Sequence, residues 1–180
     1  MVYVFLADGF EEVEALAPVD ILRRAGIEVV TVGVTGKTVM GTHRIPVTAD
    51  ISASDLVLND EVQAVILPGG LPGTENLDAD ATVQAALDFA AQKQILICAI
   101  CAAPFILGKK GLLAGKQAIC YPGFEADLQG ATLSENAVCR DGNIITAKGM
   151  GVAVAFGLEI VAALKDADTA DAIEKSIQCV

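Results

Sequence analysis

The sequence predicts an α/β protein whose mostly parallel sheet is covered by helices on both faces. Three observations carry that expectation. Short, nearly continuous apolar runs alternate with segments of helical periodicity, the pattern of strands buried on both sides. Hydrophobic residues make up 53% of the chain against 19% charged, which supports a large core and argues against disorder. At 18.5 kDa, one domain spanning residues 1–180 is the simplest organisation. No linker, repeat or low-complexity segment divides it.

The elements come in the following order. VYVFLA (2–7) reads as a buried strand, and Glu11–Ala25 as a helix stopped by Gly26. IEVVTVGV (27–34) is the next strand, and Lys37–Val47 departs from the alternation as a small hairpin with Gly41 near its turn. VQAVILP (62–68) is a strand running into Gly69-Gly70, and Ala79–Gln92 is a helix. QILICAI (94–100) is the most apolar strand, followed by a helix from Ala102 to Leu113. KQAIC (116–120), NIITA (143–147) and the helix Gly151–Leu164 complete the set, and an amphipathic helix, Thr169–Gln178, ends the chain. In the first helix Val13, Leu16, Ala17, Val19, Ile21 and Leu22 wrap more than the stripe one sheet contact requires. A second partner is expected there, either a covering loop or a second copy of the chain.

Charge and targeting narrow the function classes. The formal net charge of −11, with acids spread along the chain, argues against phosphate-backbone binding and so against a nucleic-acid partner. The N-terminal MVYVFLADGFEE lacks a basic region and turns acidic early, unlike a signal peptide. The longest apolar runs, Ile95–Leu107 and Met150–Leu164, are broken by Pro104 and Glu159, too short to cross a bilayer. Five cysteines without disulfide-scaffold density suit a reducing cytoplasm.

The segment ICAICAAPFIL (97–107) poses the chemical question. A thioredoxin-type pair would start a helix with its first cysteine, but Cys98 lies inside the strand. A structural zinc site wants a second close-set ligand pair, and Cys120, Cys139, Cys179 and His43 are isolated, so no metal is expected. The remaining functional reading is a nucleophile elbow: strand, sharp turn carrying Cys101, then helix, with Ala99, Ala102 and Ala103 supplying the small residues such a turn needs. A thiol at a helix N-terminus would be biased toward thiolate. The plain alternative is that Cys101 is a small buried hydrophobe.

Assistance to Cys101 has few sources. His43 is the single histidine, in the hairpin, so a Cys–His hydrolase would need it to reach the elbow. Carboxyl groups are closer to hand. Asp8 reads as N-cap of the first helix with Glu11 three residues on, and Glu12 and Glu14 come next. Glu14 stands out because Pro18, four residues later, removes the donor for its carbonyl and should distort the helix. Both the start of this helix and the elbow lie at the carboxyl ends of strands, where ligands collect. If the two meet, a shared proton should rest on the carboxyl and leave thiolate favoured. Gly69-Gly70 after its strand frees backbone N–H groups that, with Ala102, form a candidate oxyanion hole. GMGVAVAFG (149–157) fails as a dinucleotide fingerprint, since Val154 stands where the third glycine belongs; no cofactor is expected.

With these residues assembled, the sequence resembles the ThiJ/PfpI superfamily, in the branch of the parkinsonism-associated deglycase. The resemblance runs through GFEEVEALAPVDILRRAGI (9–27), LPGG and NL (67–77), ICAAP (100–104), SEN (134–136) and DGNIITAKGMG (141–151). It implies a flavodoxin-like sandwich, a homodimer through the first helix, a reactive cysteine at Cys101 and a buried partner at Glu14. It also implies pocket amides at Gly70 and Ala102, beside the pocket candidate Gly69, and places Arg24 at an arginine near the dimer interface. Two departures stand against it. Protease-like relatives carry a histidine where this chain has Ala102, which disfavours peptidase chemistry. Many members of the branch carry a histidine–proline pair by the pocket; here it is Tyr121-Pro122, and a family arginine of the hairpin aligns with His43 or Arg44. The resemblance implies a cofactor-free enzyme acting on small aldehydes such as methylglyoxal or on early glycation adducts. The alternative is a redox-responsive stress protein in which Glu14 stabilises an oxidised Cys101.

Overall fold

A computed structural model describes residues 1–179. The chain opens with strand β1 (Val2–Leu6), helix α1 (Glu12–Arg24) and strand β2 (Val29–Gly33). Then come a hairpin of β3 (Thr38–Met40) and β4 (Pro46–Thr48) and the two-residue β5 (Ile51–Ser52). The middle of the chain forms β6 (Ala64–Leu67), α2 (Gly73–Ala79), α3 (Ala81–Lys93), β7 (Leu96–Ile100) and α4 (Pro104–Lys109). The last part holds β8 (Gln117–Ala118), β9 (Thr132–Leu133), β10 (Val138–Asp141), β11 (Ile144–Ala147), α5 (Ala153–Leu164) and α6 (Ala167–Ser176).

Seven strands form one sheet in the order β10-β11-β7-β6-β1-β2-β5, parallel throughout except for the antiparallel edge pair β10–β11. Alternate side chains of each strand serve opposite faces. Val4, Leu6, Ile66, Cys98 and Ile100 pack with α1, α5 and α6 on one face. Tyr3, Phe5, Val65, Leu67 and Ile97 pack with α2, α3 and α4 on the other. This is the expected α/β sandwich of the flavodoxin-like kind. Among the described residues no helix is long and apolar enough to cross a membrane.

The second partner of α1 is α5. Gly157 makes the approach close: a side chain there would meet Ile21 at 2.9 Å and the Pro18 backbone at 3.2 Å. Pro18 does not break α1, which is continuous from Glu12 to Arg24. One missing backbone bond is a smaller loss than the apolar packing that holds the helix on α5 and the sheet.

Other expectations need correction. The cap of α1 is Glu11, whose carboxylate accepts the Glu14 N–H at 2.7 Å. Asp8 instead accepts the Met40 N–H at 2.8 Å, so a tertiary bond to the hairpin overrides the local cap. The helix after the elbow is Pro104–Lys109, much shorter than Ala102–Leu113, because Cys101–Ala103 form a turn. KQAIC contributes only β8, paired with β9 outside the main sheet.

Candidate active site

The sheet order places the carboxyl end of β7 between those of β6 and β11. Cys101 comes directly after β7 with φ +64°, a left-handed conformation that costs a non-glycine residue about 1–3 kcal/mol. Both its backbone groups are pinned. Its N–H donates to the Ala147 carbonyl at 2.9 Å, and its carbonyl accepts the Tyr121 N–H at 2.7 Å. This is a nucleophile elbow, and its strain is held by the flanking segments. Cys98 is a different residue altogether: fully buried in the sheet, its thiol pushed well above the ordinary range by burial.

Glu14 arrives from α1 and is 1% exposed. Its Oε2 accepts the Gly69 N–H at 2.9 Å, and its carboxyl lies beside the Cys101 side chain and the Met150 backbone. Gly69 is the meeting point. A side chain there would collide with Glu14 Oε2 and the Cys101 Cβ and would stand 3.1 Å from Sγ. Gly70 turns with φ +92°, and its N–H and that of Ala102 face the sulfur, the two contacts that favour its anion. Cys101, Glu14, Gly69, Gly70 and Ala102 are therefore brought together.

Burial raises both members of the pair. Burial pushes the Glu14 carboxyl up to about 7, against the pull of its hydrogen bonds. Burial, then the charge and hydrogen bond of Glu14, push the Cys101 thiol up to about 12. The helix expected to supply a dipole is short and starts three residues later, so desolvation wins. The pair titrates as a unit. When the proton moves to Glu14 the repulsion disappears, while the Gly70 and Ala102 N–H groups still face the sulfur.

The outlying candidates divide. Tyr121 rims the site: its backbone is bonded to Cys101 and its ring is half exposed. A concavity of about 410 Å³ lies there, between Tyr121-Pro122 and residues 148–152. Another of about 430 Å³ lies between α2, α4 and the turn at 124–127; it holds no paired titratable nucleophile, so volume alone does not mark the site. His43 does not join the cysteine. Its Nδ1 lies 2.8 Å from Glu12 Oε2 and 3.9 Å from Glu11 Oε1, at an exposed turn. Glu11, Glu12 and His43 are the one group among the described residues whose ligand atoms cluster as for a metal, all within 4.8 Å. The Glu12 carboxylate is already hydrogen-bonded to the His43 ring and accepts the His43 N–H. Arg24 pairs with Asp20 at 2.6 Å, about 15 Å along α1 from Glu14 of the same chain.

The residues missed from sequence are Ala147, Gly149 and Met150, which close the site from the end of β11. A signal for them exists: NIITA is a parallel strand, and the segment leaving its carboxyl end must lie on the same edge as Cys101.

The chain is similar to known proteins in sequence and in fold. The chain is 37% identical over 171 residues to the Parkinson disease protein 7 homolog of Danio rerio, covering 93% of this chain and 90% of that protein. It is 32% identical over 167 residues to a deglycase of Pyrococcus abyssi, covering 91% of this chain and 99% of that one. The solved structure of oxidised Toxoplasma gondii DJ-1 superposes with a TM-score of 0.93 at 34% identity, over 98% of this chain and 97% of that one. Residues 1–163 match the DJ-1/PfpI family, and the chain belongs to it.

Proposed function

We propose that the protein is a cofactor-free, cysteine-dependent enzyme that converts small reactive dicarbonyls, such as methylglyoxal, to hydroxy acids. Early glycation adducts of the same carbonyls are processed at the same residues. The observation that supports this reading most is the convergence of the Glu14 carboxyl and the Cys101 thiol on Gly69, with two backbone N–H groups aimed at the sulfur.

The steps balance with water as the only co-reactant. Cys101 attacks the aldehyde carbon while its proton passes to Glu14, a carboxylate whose raised pKa suits it to act as base near neutrality. The carbonyl electrons move to oxygen, which the Gly70 and Ala102 N–H groups stabilise. Protonation by Glu14 gives a hemithioacetal. Glu14 then removes the hydrogen from the former aldehyde carbon and returns it to the neighbouring carbon, while the hydroxyl proton of the hemithioacetal passes to the second oxygen, giving a hydroxyacyl thioester. Water hydrolyses the thioester to the hydroxy acid and frees the thiol. The deglycase name carried by the Pyrococcus abyssi relative supports carbonyl-adduct chemistry.

Methylglyoxal loss and lactate formation test the proposal. Cys101→Ser should reduce turnover to the buffer rate, and Glu14→Gln should lower it by roughly 10²–10⁴-fold. Activity of the wild type should climb as pH rises through about 7, because the base is the carboxylate form of Glu14. Wild-type turnover no faster than buffer would overturn the enzyme and leave the redox role of Cys101.

A further inference from the structure

The concavity of about 430 Å³ between α2, α4 and the turn at 124–127 has a construction of its own. Its floor is apolar. The rings of Phe105 and Phe124 lie 6.3 Å apart, tilted by 30°, with Phe105 buried and Phe124 half-buried. Leu71, 50% exposed, extends that floor outward. Three carboxylates, Glu75, Asp78 and Asp127, stand around it with one cation, Lys109. The walls are held in place. A side chain at Gly108 would run into the Asp127 carbonyl, so the glycine lets the turn lie directly on α4.

Lys109 shows what such a floor accepts. Its Nζ lies 4.7 Å from the centre of the Phe105 ring and 2.7 Å from Asp78 Oδ2, a cation on an aromatic face with a carboxylate beside it. Its ammonium is raised above the ordinary value, first by the hydrogen bond with Asp78 and then, against burial, by the charges of Asp78, Asp127 and Glu75. All three acids therefore act on one space, and one lysine balances one of them. Among the described residues Glu75 and Asp127 form no ion pair. Nor do the three carboxylates converge as metal ligands would, and a bare metal ion would leave the apolar floor uncovered. The complement of this groove is a cation spread over a flat body that can cover a ring. A guanidinium has that form: it is planar, weakly hydrated and stacks on aromatic faces, whereas an ammonium is a compact, strongly hydrated charge. We propose that the groove is a docking surface for an arginine side chain of a partner protein. The guanidinium stacks on Phe124 and pairs with Asp127 and Glu75, and an apolar neighbour of that arginine rests on Leu71.

The test is an NMR titration of the nitrogen-15-labelled protein with a blocked leucine–arginine–leucine tripeptide. The amides of Leu71, Glu75, Phe124 and Asp127 should shift and saturate together. Citrulline in place of arginine keeps the planar group and loses the charge, so binding should weaken by roughly tenfold or more. The double variant Glu75→Gln and Asp127→Asn, both at exposed positions, should weaken the arginine peptide to a similar degree. Phe124→Ala should weaken it by roughly threefold or more. Lys109→Met should tighten it, because the chain's own cation no longer competes for Asp78. The absence of shifts at these amides at millimolar peptide would overturn the proposal, as would equal binding of the citrulline peptide. An unchanged affinity in the double variant, melting like wild type, would do the same. Free arginine amide binding as tightly as the tripeptide would make the groove a small-cation site instead of a docking surface. Shifts spread over other acidic patches would reduce the attraction to the net charge of −11.

Discussion

Glu14 is the residue whose burial has the widest consequences. Its carboxyl is raised to about 7 by desolvation, so the folded chain holds that proton at pH values where the unfolded chain has released it. The stability associated with Glu14 is therefore full below about pH 4.5, the ordinary value, and is lost as pH rises through about 7. The loss can reach about 3 kcal/mol if the whole shift is expressed. Glu14→Gln cannot ionise, and its amide oxygen can still accept the Gly69 N–H. Its stability relative to wild type should rise from about pH 5 to about pH 8, read from urea midpoints across that range. A difference that stays constant with pH would mean that the carboxyl is not the group responsible. The pairing of Glu14 with Cys101 is legible in the sequence, because two strand ends in a parallel sheet share an edge. The upward push on the thiol is not. It depends on how far the turn is buried and on a helix of only six residues, and neither can be read from spacing.

At the scale of elements, the hairpin β3–β4 is fastened to the start of α1. Gly9 donates to the Met40 carbonyl at 2.7 Å and Thr42 to the Phe10 carbonyl at 2.8 Å. His43 adds a charged tether through its N–H and ring to the carboxylate of Glu12, with Glu11 facing the same ring. Burial alone would raise Glu12, but the bonds from His43 outweigh it and hold the carboxyl below its ordinary value. The same contacts raise His43, first through the hydrogen bond and charge of Glu12 and then through the charge of Glu11. The contribution of His43 is thus present below its ordinary value of 6.5 and is lost as pH rises through the higher folded value. Exchange of the turn amides Gly41 and Arg44, corrected for its intrinsic pH dependence, should accelerate across that window. In His43→Ala the acceleration should be absent, and its persistence would assign the tether elsewhere. This element is only half legible from sequence. The strands β1, β2, β6, β7 and β11 announce themselves as apolar runs, and the hairpin by its Gly41. β10 does not, because its burial is partial and alternating, although Asp141-Gly142 before the next strand is a hairpin signal.

Across the whole molecule, one apolar face of α1 has no partner among the described residues. α5 covers Pro18 and Ile21, yet Val13 and Leu16, three residues apart on one side of the helix, remain 45% and 37% exposed. Ile45 on the neighbouring hairpin turn is 52% exposed. Large aliphatic residues at the start of the site-bearing helix fit a second copy of the same chain, and we propose that α1 forms the core of a homodimer. Charge opposes it: each chain brings a formal −11, so two copies repel and added salt should strengthen the association. Light scattering on the wild type should give twice the 18.5 kDa of the chain, with the monomer fraction falling as ionic strength rises. Leu16→Glu adds a charge and removes apolar area at the centre of that face without touching the core. It should give a folded species of single-chain mass, whose circular dichroism matches wild type. A monomeric wild type at micromolar concentration in both low and high salt would exclude the dimer. A Leu16→Glu variant that stays dimeric would move the interface away from α1.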